Sequence, residues 1–367
     1  MKSILRQYIK NKEINIPAKD WADIKDDYSK EDIVNALANL IANEEIQMPM
    51  AKITLKEAIE AEKELAELET SVKYGTFYTR YEDSDLLSQS YFDESSKYNA
   101  ASNFFHQYNR FLCDSVNSPS PYRVFHNEKF AKSMCNALFS LKCKTVDMQT
   151  LYSCLALRKY VANQFKPSIA KAVYDYFHAE NVVDLCAGWG DRLAGFYAGK
   201  TTKTYFGVDA NQKLQEGYSQ QIKHYSKLFP NKQAQIIYGA TEDEDVVLPK
   251  CDFIFTSPPY FGIEKYSKDE TQSYLRYRKF DVWLEKFLFV LIEKSKNALI
   301  DGGHLVLNAS DVYMNHQINE ICHPMVDFAQ KIGLHFVDIF GMRMAKRVNS
   351  KSSRNGVFCE PLYVFEK

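Results

Sequence analysis

The stretch Thr256-Ser257-Pro258-Pro259-Tyr260-Phe261, which directly follows the apolar run Asp252-Phe253-Ile254-Phe255, decides the fold. The run predicts a buried strand, and the two prolines predict its end, because each ring removes a backbone donor and fixes φ. The turn therefore lies at the carboxyl end of a strand, the edge at which ligands bind in open α/β sheets. It offers a hydroxyl, a carbonyl without a neighbouring N–H and two aromatic rings, which suits a planar ligand.

Strand and helix patterns alternate around this stretch from about residue 151 to the end, which favours a mainly parallel sheet built from βαβ units. Further strands are expected at 182–187, 205–210, 236–238 and 303–308, with a helix at about 280–298. The segments 334–340 and 362–365 have no helical pattern between them, so they predict a terminal hairpin.

A glycine-containing turn, Asp184-x-x-x-Gly188-x-Gly190, follows the first of these strands. The two glycines allow close approach of a ligand to the backbone, and the next helix start offers free N–H groups. The turn lacks the full Gly-x-Gly-x-x-Gly spacing and a Walker lysine, so alone it also fits an unrelated tight turn. Asp209 ends the next strand about 20 residues on, where a carboxylate can accept both ribose hydroxyls. This spacing predicts a nucleoside-bearing cofactor, and it fits NAD as well.

The glycine turn, Asp209 and the Ser-Pro-Pro-Tyr turn follow one another in this order. In this they resemble the S-adenosylmethionine-dependent DNA amino-methyltransferases that act on cytosine N4 or adenine N6. The resemblance covers roughly residues 160 to 367. It implies an α/β fold of the class I methyltransferase (Rossmann-like) type, with a seven-stranded, mostly parallel sheet and an antiparallel last strand.

The resemblance also implies a site. Its cofactor is S-adenosyl-L-methionine, and no metal is needed. The catalytic turn is Ser257, Pro258, Pro259 and Tyr260: the Ser257 side chain and the Pro258 carbonyl accept hydrogen bonds from the amine, and Tyr260 stacks on the base. The residues expected to bind the cofactor are Phe165, Lys166, Ser168, Asp184, Cys186, Ala187, Gly188, Gly190, Asp209, Ala210, Thr241 and Glu242. Ser168 is expected to open a helix, and an acidic, solvated loop is an alternative for Thr241 and Glu242.

Substrate contacts are expected from Phe261, which could otherwise be a core residue, and from a basic loop between the last two strands. Its cations are Arg343, Lys346, Arg347, Lys351 and Arg354, and no acid lies among them. Such a loop suits contact with phosphates, although a solvated loop has the same composition. The net charge of −1 neither supports nor excludes DNA as a partner.

Residues 1–150 are expected to form a mainly helical domain. Helices are predicted from the apolar spacing at 33–41, from Thr54 to about Leu68, and from Phe130 to Leu141. Residues 74–122 mix tyrosine and phenylalanine with polar residues, which suits either base stacking or an interface. Since the sequence ends with the last strand, we expect this domain, and not a carboxyl-terminal one, to recognise the target. The catalytic domain is expected at 151–367.

The eight cysteines are scattered without zinc spacing, and no apolar run approaches about eighteen residues. We therefore expect a cytoplasmic protein, bacterial, phage-encoded or otherwise intracellular, with no membrane contact. DNA is the expected partner, with a cognate restriction endonuclease as a further possibility; the oligomeric state stays open. Ser257 in the first motif position favours cytosine over adenine. Two alternatives remain: methylation of RNA bases or protein glutamine, for which Asn usually comes first, and a catalytically inactive subunit that binds nucleic acid.

Overall fold

The computed structural model describes residues 1–80, 89–93, 95–115, 118–314, 316–344 and 356–367. Four of the five predicted phosphate-contacting cations, Lys346, Arg347, Lys351 and Arg354, lie outside these ranges. The chain forms two compact units, the first from 1–52, 107–163 and 264–266, the second from 53–106, 164–263 and 267–367. The division therefore differs from a single boundary near residue 150.

The helices and strands follow one another along the described chain. The helices are α1 (Lys2–Arg6), α2 (Ala18–Asp27), α3 (Lys30–Ala42), α4 (Leu55–Glu67), α5 (Ala100–Phe111), α6 (Pro121–Phe125), α7 (Glu128–Ser140), α8 (Met148–Leu157), α9 (Pro167–Tyr176), α10 (Asp191–Ala198), α11 (Gln215–Leu228), α12 (Ser273–Arg276), α13 (Phe280–Trp283), α14 (Phe289–Ala298) and α15 (Cys322–Lys331). The strands are β1 (Ile9–Lys10), β2 (Glu13–Ile16), β3 (Val72–Tyr74), β4 (Phe77–Tyr78), β5 (Ser90–Phe92), β6 (Asp114–Ser115), β7 (Val146–Asp147), β8 (Asn181–Asp184), β9 (Thr204–Asp209), β10 (Gln233–Tyr238), β11 (Cys251–Thr256), β12 (Glu264–Lys265), β13 (Leu299–Asn308), β14 (Val312–Met314), β15 (Gln317–Asn319), β16 (His335–Arg343) and β17 (Val357–Glu366). A π-helical turn, Leu284–Leu288, joins α13 to α14.

The first unit is mainly helical, as predicted for the start of the chain. Ser29 caps α3 by accepting a hydrogen bond from the backbone N–H of Asp32 at 3.1 Å. The apolar faces of α2, α3, α7 and α8 share one buried core, which includes Trp21, Leu37 and Met134. A small sheet in the order β1-β2-β7 completes this unit.

The second unit contains a large sheet in the order β10-β9-β8-β11-β13-β17-β16. The first five strands are parallel, whereas β17 is antiparallel to both β13 and β16. Every strand and the terminal hairpin predicted from the sequence are present. The fold is therefore that of the class I methyltransferases, as expected.

Beyond β16 the sheet continues with β5 and β3, which the sequence did not predict. Gly341 of β16 pairs with Tyr91 of β5 in parallel, and β5 pairs with β3 in antiparallel orientation. Strands of three residues carry too short an alternating pattern to be recognised. Because these strands complete the sheet, residues 53–106 belong to the second unit.

The helix α4, also in residues 53–106, begins as predicted. Thr54 forms a capping box with Glu57, and α4 packs against α10. None of the helices in the described ranges combines the length and the apolarity needed to cross a membrane.

Candidate functional site

Four neighbouring parallel strands of the second unit end at one edge of the sheet. Ile254 of β11 pairs with Val183 of β8, and β8 pairs with β9, so their carboxyl ends lie side by side. The strands β8, β9, β11 and β13 end at Asp184, Asp209, Thr256 and Asn308. The predicted glycine turn, ribose acid and catalytic turn therefore share this edge.

The catalytic turn begins directly after β11, and Asn308 of β13 holds its first side chain. The Ser257 hydroxyl donates to Asn308 Oδ1 at 3.1 Å. Asn308 is buried, and its Nδ2 donates to the Pro361 carbonyl at 3.1 Å. This fixes the amide so that its oxygen faces Ser257. With its proton directed to Asn308, the Ser257 oxygen presents its remaining lone-pair capacity as an acceptor.

Tyr260, three residues further on, lines a cavity of about 70 Å³. The Ile263 N–H donates to the Tyr260 carbonyl at 3.1 Å and closes the turn. The cavity is also lined by residues from β17 and from the segment after β13, among them Tyr313, Phe358, Asp311 and Glu360, and by Arg80. The residues that line it thus combine aromatic rings with groups of both charges.

Phe261 lies elsewhere. It is buried in the core, with ring centroids 5.3 Å from Phe280 and 5.8 Å from Trp283. It does not line the cavity with Tyr260. Of the two interpretations open at the sequence level, the structure supports a core residue, because the ring packs against the aromatic side chains of α13.

The glycine turn adopts the left-handed conformation at both glycines, with φ of 68° at Gly188 and 74° at Gly190. A side chain at 190 would meet the His106 ring at 2.6 Å, so packing beneath the turn requires glycine there. At 188 the nearest atom to an added Cβ would be the Cys186 carbonyl oxygen at 3.8 Å. Gly188 therefore leaves space next to the backbone, at the start of α10, where a ligand can approach.

Asp209 joins this turn to β9. Its two carboxylate oxygens accept hydrogen bonds from the backbone N–H groups of Gly188 at 2.7 Å and Asn211 at 2.8 Å. The side chain is largely buried, and burial raises the pKa of Asp209 to about 6 against the opposing effect of these hydrogen bonds. Each oxygen can accept one further hydrogen bond, so the group can bind a pair of hydroxyls. Ala187 N–H donates to the Val208 carbonyl at 2.9 Å and aligns the turn with the strand.

Asp184, predicted to bind the cofactor, is fully buried and paired within the protein. It accepts hydrogen bonds from Arg192 Nε at 2.7 Å, from the Tyr205 hydroxyl at 2.7 Å and from the Cys186 N–H at 3.3 Å. A buried carboxylate needs such pairing, because its desolvation is otherwise costly. Arg192 also donates to the Cys186 carbonyl. The structure thus places Asp184 under the glycine turn, where it fixes the turn's shape.

In the segment before β8, the three residues predicted to bind the cofactor make different contacts. The Phe165 ring lies 5.5 Å from the Arg192 guanidinium and packs edge-on against Phe255. Lys166, not Ser168, is the N-cap of α9, whose first residue is Pro167. Ser168 is fully buried and donates to the Ser95 carbonyl at 2.6 Å, so it anchors residues that precede α5.

Two of the predicted residues link this segment to the end of β16. Lys166 Nζ donates to the Arg343 carbonyl at 3.3 Å, and Arg343 itself forms an ion pair with Asp93. Of the five predicted phosphate contacts, Arg343 is the one that the structure describes, and its charge is already paired.

The residues after β9 and β10 contact either the glycine turn or the chain that follows the catalytic turn. Thr241 donates to the Leu185 carbonyl, and the Ala210 carbonyl accepts from the Thr271 hydroxyl at 2.8 Å. Glu242 lies 3.3 Å from Arg276, which also pairs with Asp243. Burial raises the pKa of Glu242. The acids at 242 and 243 are therefore not a solvated loop; they hold α12 in place.

This edge fits a nucleoside-bearing cofactor. It combines a left-handed glycine turn with open space, a buried acid with remaining acceptor capacity, and a helix start. The catalytic turn lies on the same edge. Sequence reasoning missed Asn308, although one signal was present: an otherwise apolar strand, Leu305-Val306-Leu307, ends in a polar residue next to the strand that carries the turn.

No protein-family model matches the chain, and no curated protein matches it. Among solved structures, TrmN from Thermus thermophilus is similar over 60% of this chain and 53% of its own, about half of its length, with 14% identity and a TM-score of 0.35. A S-adenosylmethionine-dependent methyltransferase from Clostridium acetobutylicum is similar over 58% of this chain and 94% of its own, with 11% identity and a TM-score of 0.36. A methyltransferase from Pyrococcus furiosus is similar over 59% of this chain and 92% of its own, with 15% identity and a TM-score of 0.34. Sequence identities and TM-scores this low do not bear on the activity or the substrate of this chain.

Proposed function

We propose that this protein is a site-specific DNA methyltransferase that uses S-adenosyl-L-methionine to methylate an exocyclic amine, cytosine N4 or adenine N6. One observation carries the proposal: Ser257, with its proton directed to Asn308, lies at the same sheet edge as the glycine turn and Asp209. Tyr260, in the same turn, lines a cavity together with Tyr313 and Phe358.

An exocyclic amine needs acceptors, because its lone pair is delocalised into the ring. Hydrogen bonds from its two N–H groups to the Ser257 oxygen and the Pro258 carbonyl pyramidalise the nitrogen and return electron density to it. Stacking on Tyr260 holds the ring in plane. Since no covalent bond to the protein is required, the work of these residues is positioning.

The cofactor, when bound, supplies a methyl group activated on a sulfonium sulfur. The chain's own residues would bind and orient it: Asp209 accepts from the ribose hydroxyls, and the backbone of Gly188 borders the space next to the turn. Phe165 contacts Arg192, which donates to the Cys186 carbonyl within the turn. Lys166, the next residue, donates to the Arg343 carbonyl at the end of β16.

A base in a duplex must leave the stack to reach this turn. We propose DNA as the partner, held through phosphates by the loop cations Lys346, Arg347, Lys351 and Arg354, with the first unit as the candidate reader of the target. Ser257 favours cytosine. A cytoplasmic location and a cognate restriction endonuclease belong to the same proposal.

The proposal is tested by transfer of a labelled methyl group to DNA and to RNA of matched sequence. We expect the wild-type protein to label DNA, Ser257→Ala to lose most of that activity, and Ser71→Ala, which alters an exposed serine before β3, to keep it. Labelling of RNA in place of DNA would show that DNA is not the substrate. Equal activity of Ser257→Ala and wild type would overturn the catalytic turn, and tight cofactor binding without labelling would favour an inactive binding subunit.

A further inference from the structure

A short hairpin follows the strand that carries Asn308. Its strands are β14 and β15, and their cross-strand pairs are Val312 with Asn319, Tyr313 with Ile318, and Met314 with Gln317. Since β13 ends at Asn308, the hairpin leaves the sheet at the same edge as the catalytic turn. Its first residues, Asp311 to Tyr313, line the cavity with Tyr260.

The base of the hairpin is held firmly. One oxygen of Asp311 accepts hydrogen bonds from the N–H groups of Ile321 at 2.7 Å and Cys322 at 2.9 Å, on the far side of the hairpin. Val312 is buried in the core of the second unit. Asn319 is buried too, and its Nδ2 lies 3.4 Å from the Val312 carbonyl and 3.5 Å from those of Met314 and Gln317. The base of the hairpin is thus anchored by hydrogen bonds and by the buried side chain of Val312.

This support presents an exposed apolar pair. Tyr313 is 56% exposed and Ile318 is 51% exposed. Directly paired residues project from the same face of a two-stranded ladder, so the two side chains form one patch. Tyr313 also lines the cavity, so its ring stands at the cavity's rim. An exposed aromatic ring at a cavity, adjoining an exposed aliphatic side chain, marks a contact surface.

The charge of the β14–β15 hairpin indicates which class of partner it can contact. Asp311 and Glu320 flank the hairpin, and residues 312–319 between them contain no Asp or Glu. One oxygen of Asp311 is already bound by the N–H groups of Ile321 and Cys322. A phenol ring has an apolar face that can stack on a base and a polar end that tolerates water when no partner is bound. These properties fit the stacked bases of a duplex better than a charged protein surface.

We infer that the β14–β15 hairpin is the wedge that opens the duplex, with Tyr313 stacking in the space that the target base leaves. The inference rests on the proposed function. An extruded base leaves a gap that the duplex tends to close, and proteins that open duplexes insert apolar side chains between base steps. Tyr313 is the side chain placed to do this, because it lies at the rim of the cavity that would receive the base.

The test compares two duplex oligonucleotides that contain a site methylated by the wild-type protein. In one the target base is correctly paired; in the other it faces a mismatch, which lowers the cost of extrusion. We expect Tyr313→Ala to lower the single-turnover rate on the paired duplex by roughly tenfold and the rate on the mismatched duplex much less. Tyr313→Trp should restore the rate on the paired duplex, and Tyr74→Ala, at another exposed tyrosine, should alter neither.

Three outcomes would overturn the inference. Unchanged rates for Tyr313→Ala on both duplexes would exclude a wedge. Equal losses on both would make Tyr313 a wall of the base cavity and not a wedge. A wild-type protein that methylates only single strands or RNA would remove the duplex altogether, and methylation of no nucleic acid would reject the proposed function as well. Calorimetric titration with S-adenosylmethionine separates these results from misfolding, because Tyr313 belongs neither to the glycine turn nor to the strand that carries Asp209.

Discussion

At the scale of single residues, Asp209 gives the site a pH dependence. Its carboxylate form is the one that accepts two hydroxyls, and burial raises its pKa to about 6. We predict that affinity for S-adenosylmethionine falls as the pH drops from about 7 to about 5, because protonation removes acceptor capacity. Calorimetry across this range measures the effect.

The variant Asp209→Asn removes the charge of the side chain and keeps its shape. Asp209→Asn should bind the cofactor more weakly by about 1–3 kcal/mol at neutral pH, the usual contribution of a hydrogen bond to a charged group, and should lose the pH dependence. If Asp209→Asn keeps both the affinity and the pH profile of the wild type, Asp209 does not bind the ribose.

Asn308 provides a second prediction. If it directs the proton of Ser257, Asn308→Ala should lower the methylation rate by roughly five- to tenfold, the equivalent of about one neutral hydrogen bond, without altering cofactor affinity. In a Ser257→Ala background, Asn308→Ala should have no further effect on the rate, since the two residues act as a pair. Full additivity of the two substitutions would contradict the pairing.

The sequence predicted the positions of Ser257 and Asp209 at the carboxyl ends of strands. It did not predict roles that depend on distant partners. Asp184 is occupied by Arg192 and Tyr205, which lie 8 and 21 positions further along the chain. Phe261 packs against α13, and Asn308 meets Ser257 across 51 positions. Such pairings arise from tertiary packing, which a local pattern does not contain.

At the scale of elements, the long strands were predictable because each is an apolar run bounded by turn residues. The three-residue strands β3 and β5 were not. The helix α4 begins where the sequence predicted, but the burial of its glutamates was not predicted. One of them, Glu62, is fully buried, and neither of its oxygens has a hydrogen-bond partner in the described part of the chain.

Glu62 therefore provides a prediction about stability. Burial raises the pKa of Glu62 well above its usual range, although the charges of Lys232 and Lys171 oppose the shift. An acid with a raised folded-state pKa stabilises the fold most below its unfolded pKa, and that contribution is lost as the pH rises through the folded pKa. We expect Glu62→Gln to be more stable than the wild type at about pH 8, with a smaller difference at about pH 5.

Urea unfolding at both pH values measures this difference, with Glu60→Gln on the exposed face of α4 as the control. If the wild type gains stability relative to Glu62→Gln as the pH rises, Glu62 is charged and paired in the folded state, and the prediction fails.

The basic loop between β16 and β17 provides a prediction about DNA binding. Replacing Lys346, Arg347, Lys351 and Arg354 with glutamine should weaken DNA binding about equally for all sequences. The slope of log affinity against log salt should fall by roughly 0.9 per lost contact. Arg343→Gln should have a smaller effect, because Asp93 already pairs with that residue. Unchanged affinity and slope in the quadruple variant would show that the loop is solvated.

At the scale of the whole molecule, the sequence predicted a sheet unit and a helical unit but placed one boundary near residue 150. The structure assigns residues 53–106 to the sheet unit and residues 107–163 to the helical one. One of the crossings between the units, at residues 106–107, lies within α5, and no change in composition marks that point. A boundary inside a helix cannot be found from linker composition, because there is no linker.

The central claim is that the turn from Ser257 to Tyr260 methylates an exocyclic amine. Its most direct test is mass spectrometry of nucleosides digested from DNA that was incubated with the protein and isotopically labelled S-adenosylmethionine. We predict labelled N4-methylcytosine or N6-methyladenine with the wild type, and a large loss of that product with Ser257→Ala at unchanged cofactor affinity. Label on cytosine C5, label recovered only from RNA or protein, or an undiminished yield from Ser257→Ala would contradict the claim.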